Sequence, residues 1–190
     1  MARGGNPQGK GLTPVLSEWQ SAQPALIRQR TPRQVIGDYF TTLLVLSAEF
    51  NFKPASGVSY YLYLRDPAWK LSLIAPEEWL GRAPGPCLGR CELHPDMTWQ
   101  LEPRQDAGEN AELGAALDAF HNGFLDLLDR DERLEDSLPH YVSHLPYYRR
   151  LLAAGLASSL KASLELSGLT QRKGREWLKA AARPGLGHTD

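Results

Sequence analysis

Two acids stand side by side at Glu77 and Glu78, and paired carboxylates are what hydrolytic acid and base chemistry uses. In a helical turn, however, adjacent positions point about 100° apart, so the two side chains would diverge. Their bland role is electrostatic: acids complement the positive end of a short turn that opens on Pro76. His94 and Asp96 flank Pro95 and could form a dyad in which the carboxylate orients the imidazole. With Glu78 they make the polar set for a small hydrolase or transferase. No serine stands in a nucleophile elbow, and the nearest thiol, Cys91, falls by strand alternation on the face opposite Arg90 and His94.

Metal and phosphate chemistry finds less to use. Cys87, Cys91 and His94 offer three ligands without the paired spacing of zinc sites. His140 and His144 stand four apart but lack the Glu of the zinc-protease motif, and His121 is isolated from both. The Gly/Pro-rich run from Gly81 to Gly89 is not followed by Lys-Ser or Lys-Thr, so no phosphate loop is present. The expectation is no cofactor, no metal and no assembled catalytic set, with the question of an enzyme left open.

The elements that would position these residues are legible from periodicity. Thr13-Pro14 suits a short helix over 14–22. Thr31 and Gln34 form a capping box, and Val35, Ile36, Tyr39, Phe40, Leu43, Leu44, Leu46 and Phe50 follow at helical spacing, which predicts a core helix over 32–49. After Pro54 and Gly57 the period changes to that of strands: 59–64, 69–74, 87–93 and 97–101, with turns at 65–68 and 94–96. Leu113, Ala116, Leu117, Phe120, Phe124, Leu127 and Leu128 mark a helix over 109–129. Tyr148, Leu152, Leu156, Leu160 and Leu164 mark another over 147–166, stopped by Gly168. A basic last helix surrounds Trp177. The fold class expected is α+β: a four-stranded antiparallel meander over 59–101, packed by the preceding long helix and two later ones. As domains, 1–11 is a disordered lead, 12–168 one α+β unit, and 169–190 a basic helix and tail.

Alternation sorts the strand residues into two faces. Leu62 and Leu64 oppose Tyr61 and Tyr63; Leu71 and Leu73 oppose Lys70 and Ser72; Cys91 and Leu93 oppose Arg90 and Glu92; Met97, Trp99 and Leu101 oppose Thr98 and Gln100. The second face mixes tyrosines with charges, as recognition surfaces do. The candidate binding residues are therefore Tyr61, Tyr63, Lys70, Arg90 and Glu92, with Trp79 and Trp99 framing a groove beside them. A helix laid over this face would instead make the tyrosines core.

The 190 residues have a net charge of −1 and 42% hydrophobic content, which suits one core and favours no nucleic-acid or membrane partner. Charge is nevertheless segregated. Residues 102–136 hold eleven acids against three arginines, while 1–33 and 170–183 are each net +4. Arg172, Lys173, Arg175 and Lys179 are the candidate phosphate contacts of a weaker, nucleic-acid reading, against which the acidic middle argues. The small residues around the Leu152–Leu164 stripe leave room for a close neighbour, either the core or a homodimer partner. Cys87 and Cys91 in extended backbone lie about 13 Å apart, too far for a disulfide. Free thiols and the absence of a secretory signal predict a cytoplasmic protein.

Four further motifs carry a resemblance: Tyr60-Tyr61-Leu62-Tyr63, Ser72 to Trp79, Leu88-Gly89, and Asp96-Met97-Thr98-Trp99. With Asn6 to Gly11, Asp38-Tyr39-Phe40 and Lys53-Pro54, the chain resembles, over about residues 6–103, a domain of unknown function found in bacterial and animal proteins. That resemblance implies no activity, cofactor or site residue. The function expected from the residues themselves is a non-catalytic protein-binding module with an unidentified protein partner. The alternative is the small hydrolase or transferase built on His94, Asp96 and Glu78.

Overall fold

The computed structural model describes residues 23–129, 133–134 and 147–181. The expected 14–22 helix, the 1–11 lead, His140 and His144 lie outside them. Helix α1 spans Pro32–Ser47. The Thr31 hydroxyl accepts from the Gln34 backbone amide at 3.3 Å and the Gln34 side-chain Oε1 accepts from the Thr31 backbone amide at 2.9 Å, so the capping box is closed in both directions. Four strands follow, β1 Ser59–Arg65, β2 Ala68–Ser72, β3 Cys87–Leu93 and β4 Trp99–Pro103. They form one antiparallel sheet of order β2-β1-β3-β4, in which β1 rather than β2 receives β3. Helices α2 Ala111–Leu128, α3 Tyr147–Ser167 and α4 Gly174–Ala181 complete the α+β fold.

Helix α1 is central because two of its faces are apolar. One packs on the sheet, where the Thr42 hydroxyl accepts the outward amide of Trp99 at 3.0 Å. The other meets the later helices, with Tyr39 and Phe40 packed edge to face on Phe124 at 5.5 and 5.3 Å. Leu152, Leu156, Leu160 and Leu164 of α3 are all buried in the chain's own core, together with Ala153, Ala157, Ser159 and Ser163. The stripe that could have served a homodimer is thus occupied. Gly168 ends α3 at φ 65°, its amide donating to Glu165 and that of Leu169 to Leu164, a Schellman stop. Trp177 of α4 is fully buried in the same core, so this basic helix is packed onto it.

The end of β2 and the start of β4 depart from the sequence reading for reasons visible in the backbone. β2 ends at Ser72, whose hydroxyl accepts the amide of Ile74 at 3.0 Å and turns the chain, leaving Leu73 outside instead of on the core face. Residues 94–98 form a turn with Met97 at φ 66°, so β4 begins at Trp99. β3 carries a bulge: the register against β1 shifts between Leu62 and Tyr63, which leaves Leu88 an extra buried residue. Beside it Gly89 runs so close to β4 that a β-carbon would sit 2.2 Å from the Glu102 carbonyl oxygen.

A buried ionic network ties these parts together. Arg30 is almost wholly inside. Its Nε lies 2.8 Å from Asp38 on α1, its Nη2 pairs with Asp96 in the β3–β4 turn, and its Nη1 donates to Ser163 of α3 at 2.7 Å. The Arg30 amide donates to Ser167 at 2.9 Å and the Gln29 side chain to the Leu166 carbonyl at 3.0 Å. Asp96 also accepts the Thr98 amide at 3.1 Å and hydroxyl at 2.6 Å. Burial pushes the Asp38 carboxyl up, against the pull of Arg30. Its own contribution to stability is therefore present below the ordinary Asp range and lost as pH rises through the folded value.

Removing one partner of such a network strands the others without water. Arg30→Ala is expected to cost about 3–5 kcal/mol in urea denaturation. Arg30→Lys should recover less than half of it, since an ammonium cannot present a planar fork to three acceptors. A loss below about 1 kcal/mol for Arg30→Ala would show that the network is not cohesive.

Candidate functional site

The two sheet faces have different fates. Tyr60, Leu62, Leu71, Cys91, Trp99 and Leu101 join the core with α1. On the opposite face the register sets Ser72, Tyr61, Arg90 and Glu102 in one row across all four strands. Lys70, Tyr63 and Cys87 make the next row, and Ser59, Glu92 and Gln100 the row on the other side.

Over this face folds a turn of 3-10 helix, Pro76–Trp79. Glu78 reaches back to accept the Ala75 amide at 2.8 Å, which fixes the turn's start. Trp79 packs edge to face on Tyr63, centroids 6.0 Å apart, and its indole N–H donates to the Tyr63 hydroxyl at 3.0 Å. That hydroxyl donates in turn to the Ile74 carbonyl at 2.8 Å. Tyr63 is left with no exposed surface.

Beside the turn an open groove of about 550 Å³ crosses the sheet. Tyr61 and Arg90 line it from the strands, Pro76 and Glu77 from the turn, and Glu102 to Asp106 from the end of β4. Arg90 donates from Nε and Nη2 to Glu102 at 3.1 and 2.8 Å. Arg104 donates to Asp106 from Nε and to Glu77 from Nη1, each at 3.0 Å. A backbone amide and then Arg104 hold Glu77 below the usual carboxylate range, and the Arg104 hydrogen bond does the same for Asp106. The stability these two exposed carboxylates add is present above the ordinary range and lost as pH falls through the folded values.

The expected binding residues separate accordingly. Tyr61 and Arg90 come together in the groove, and Trp79 sits half-buried on the adjoining turn. Lys70 and Glu92 share the face but belong to the neighbouring rows. Two expectations are corrected. Tyr63 is sealed by Trp79, because the 73–79 segment folds over it. Trp99 is buried on the core face beneath α1 and against Tyr60, so Trp79 and Trp99 frame no groove.

The polar set His94, Asp96 and Glu78 is divided among separate tasks. Asp96 holds Arg30 and Thr98, His94 faces Gln100 with Nε2 3.0 Å from Oε1, and Glu78 caps its own turn. Cys87 and Cys91 are free thiols. Burial pushes Cys87 up to about 11 and Cys91 further, which makes both poor nucleophiles at neutral pH. Among the described residues no cluster of three His, Cys, Asp or Glu could hold a metal, and no helix is long and apolar enough to cross a membrane. Arg172 lies over the Trp177 ring at 5.8 Å.

Sequence reasoning missed the wall of the groove, Glu102, Arg104 and Asp106, and the outward apolar residues Leu73, Ile74 and Leu80. One signal was available: a leucine directly before Gly81, in a loop with no period to bury it.

The two tyrosines should part company in a single melt. Tyr63→Ser is expected to cost about 3–5 kcal/mol, as a buried aromatic does, and Tyr61→Ser under about 1 kcal/mol. Equal losses would place both in the core. Burial also pushes the Tyr63 phenol up to about 12. The stability it contributes is fully present below the ordinary value and lost as pH rises through the folded one. A tyrosinate absorbance titration, wild type minus Tyr63→Phe, should show that late ionisation; an ordinary tyrosine value in the difference would contradict the sealed site.

No curated protein and no solved structure matches the chain. Residues 27–117 match the family described as Protein of unknown function (DUF2452), which spans α1, the whole sheet and the first turns of α2. The row of Tyr61, Arg90 and Glu102 and the turn Pro76–Trp79 lie inside those limits, so the part of the chain that carries the groove is similar to that family of unknown function.

Proposed function

We propose that this chain is a non-catalytic protein-binding module, and that its binding surface is the sheet face around Tyr61 together with the turn from Leu73 to Leu80. The carrying observation is apolar surface presented on that turn. Leu80 is 90% exposed and Leu73 53%, with Ile74 beside it. Leu80 also holds φ 48°, a left-handed conformation that a branched side chain adopts only at a cost. Large apolar side chains around a half-buried aromatic groove, ringed by ion pairs, are the composition of an interface centre with a polar rim. The two free thiols suit a reducing compartment, so the cytoplasm is the setting proposed.

The test compares affinity capture from native cells by the full chain and by its Tyr61→Ser and Leu80→Ser variants, scored by quantitative mass spectrometry. Partners enriched by the wild type are expected to drop about tenfold or more with either variant, at unchanged melting temperature. Identical partner sets for all three proteins would remove this surface from recognition.

A further inference from the structure

The groove's shape and charge together indicate what it holds. Its walls are Pro76 on the turn and Pro103 at the end of β4, and Tyr61 lines it from the strand between them. Prolines and a tyrosine along an open channel offer rings for an extended chain to lie against, the arrangement that proline-rich segments use. The channel is lined by three carboxylates and two guanidiniums, and the two kinds are not equally presented. Glu102 is 64% exposed against 50% for Arg90; Glu77 and Asp106 are 71% and 66% exposed against 37% for Arg104. The guanidiniums direct their donors into these pairs, whereas the carboxylates keep acceptor capacity facing solvent. An incoming cation meets the more exposed, free acceptors; an incoming anion meets only the remaining N–H groups of guanidiniums already paired to carboxylates. Glu109 and Glu112, both exposed and further along the chain from Asp106, carry the same sign.

We propose that the groove binds an extended, proline-containing segment of a partner protein that carries arginine or lysine, the rings lying on Tyr61 and the cationic groups on Glu77, Glu102 and Asp106. This rests on the protein-binding reading above and adds the chemistry of the partner.

Fluorescence anisotropy with three synthetic probes tests it: a proline-rich peptide bearing arginines, the same peptide with glutamates in their place, and the same with alanines. The full-length chain is expected to bind the arginine peptide and to bind the glutamate peptide about tenfold or more weakly. Tyr61→Ser and the double variant Glu77→Gln/Asp106→Asn should each reduce arginine-peptide affinity by a similar factor. The double variant changes only exposed groups, so it remains decisive if Tyr61→Ser lowers the melting temperature. Tighter or equal binding of the glutamate or alanine peptide, still lost in Tyr61→Ser, overturns the cationic partner and leaves the binding face standing. Failure of all three peptides to bind overturns the partner chemistry, and the capture experiment then decides the face on its own. Arginine-peptide binding that ignores both variants overturns the groove as the site.

Discussion

Arg30 carries its charge into the interior, and the packing of the chain follows from how that charge is met. A buried guanidinium is tolerated only when its donors and its charge are answered together. Here the answers come from α1 through Asp38, from the β3–β4 turn through Asp96, and from α3 through Ser163. None of these groups is near the others in sequence. Because the fork is planar, its contacts to Asp38, Asp96 and Ser163 constrain how α1, the β3–β4 turn and α3 meet, as hydrophobic contact alone does not. It also ties α3 to the segment that matches the family, although α3 lies outside residues 27–117.

Once α1 is fixed in this way, the sheet has one covered face and one that the charges keep open. Arg90, Glu92, Glu102 and Lys70 alternate with the core residues, and no apolar helix could lie on them without stranding ions. The 73–80 segment therefore covers only one of the two tyrosines on that side, Tyr63, and does so with a tryptophan whose N–H has a partner. Tyr61, one pleat away and level with Arg90, stays accessible. The groove is a by-product of that partial cover: the turn forms one wall, the end of β4 the other.

Much of this was legible in the sequence and some was not. The capping box at Thr31 and Gln34, the helical stripes and the Gly168 stop are local signals, and each appears where its spacing puts it. Alternation sorted the strand faces correctly for Leu62, Leu71, Cys91 and Leu101. It failed at Leu73 because a serine hydroxyl ended β2 one residue earlier, and it could not show that Tyr63 would be sealed, since Trp79 is sixteen positions away. Arg30 read as one more solvated charge in a basic entry segment, because its partners lie 66 and 133 positions downstream. Asp96 likewise read as a potential catalytic carboxylate, and in the fold it pairs with Arg30. The exposed Leu80 carries the same lesson: periodicity reports which residues can be buried, not which are left out.

The central claim is that partners are recognised through the open face of the sheet and its turn. Hydrogen–deuterium exchange, read peptide by peptide on the chain alone and in a complex captured from cells, tests it most directly. The account predicts added protection over residues 59–65, 73–82 and 102–106, with α1 and α3 unchanged. Protection confined to the outer surface of α2 or to α3 and α4, with the 73–82 segment exchanging as in the free chain, would contradict it.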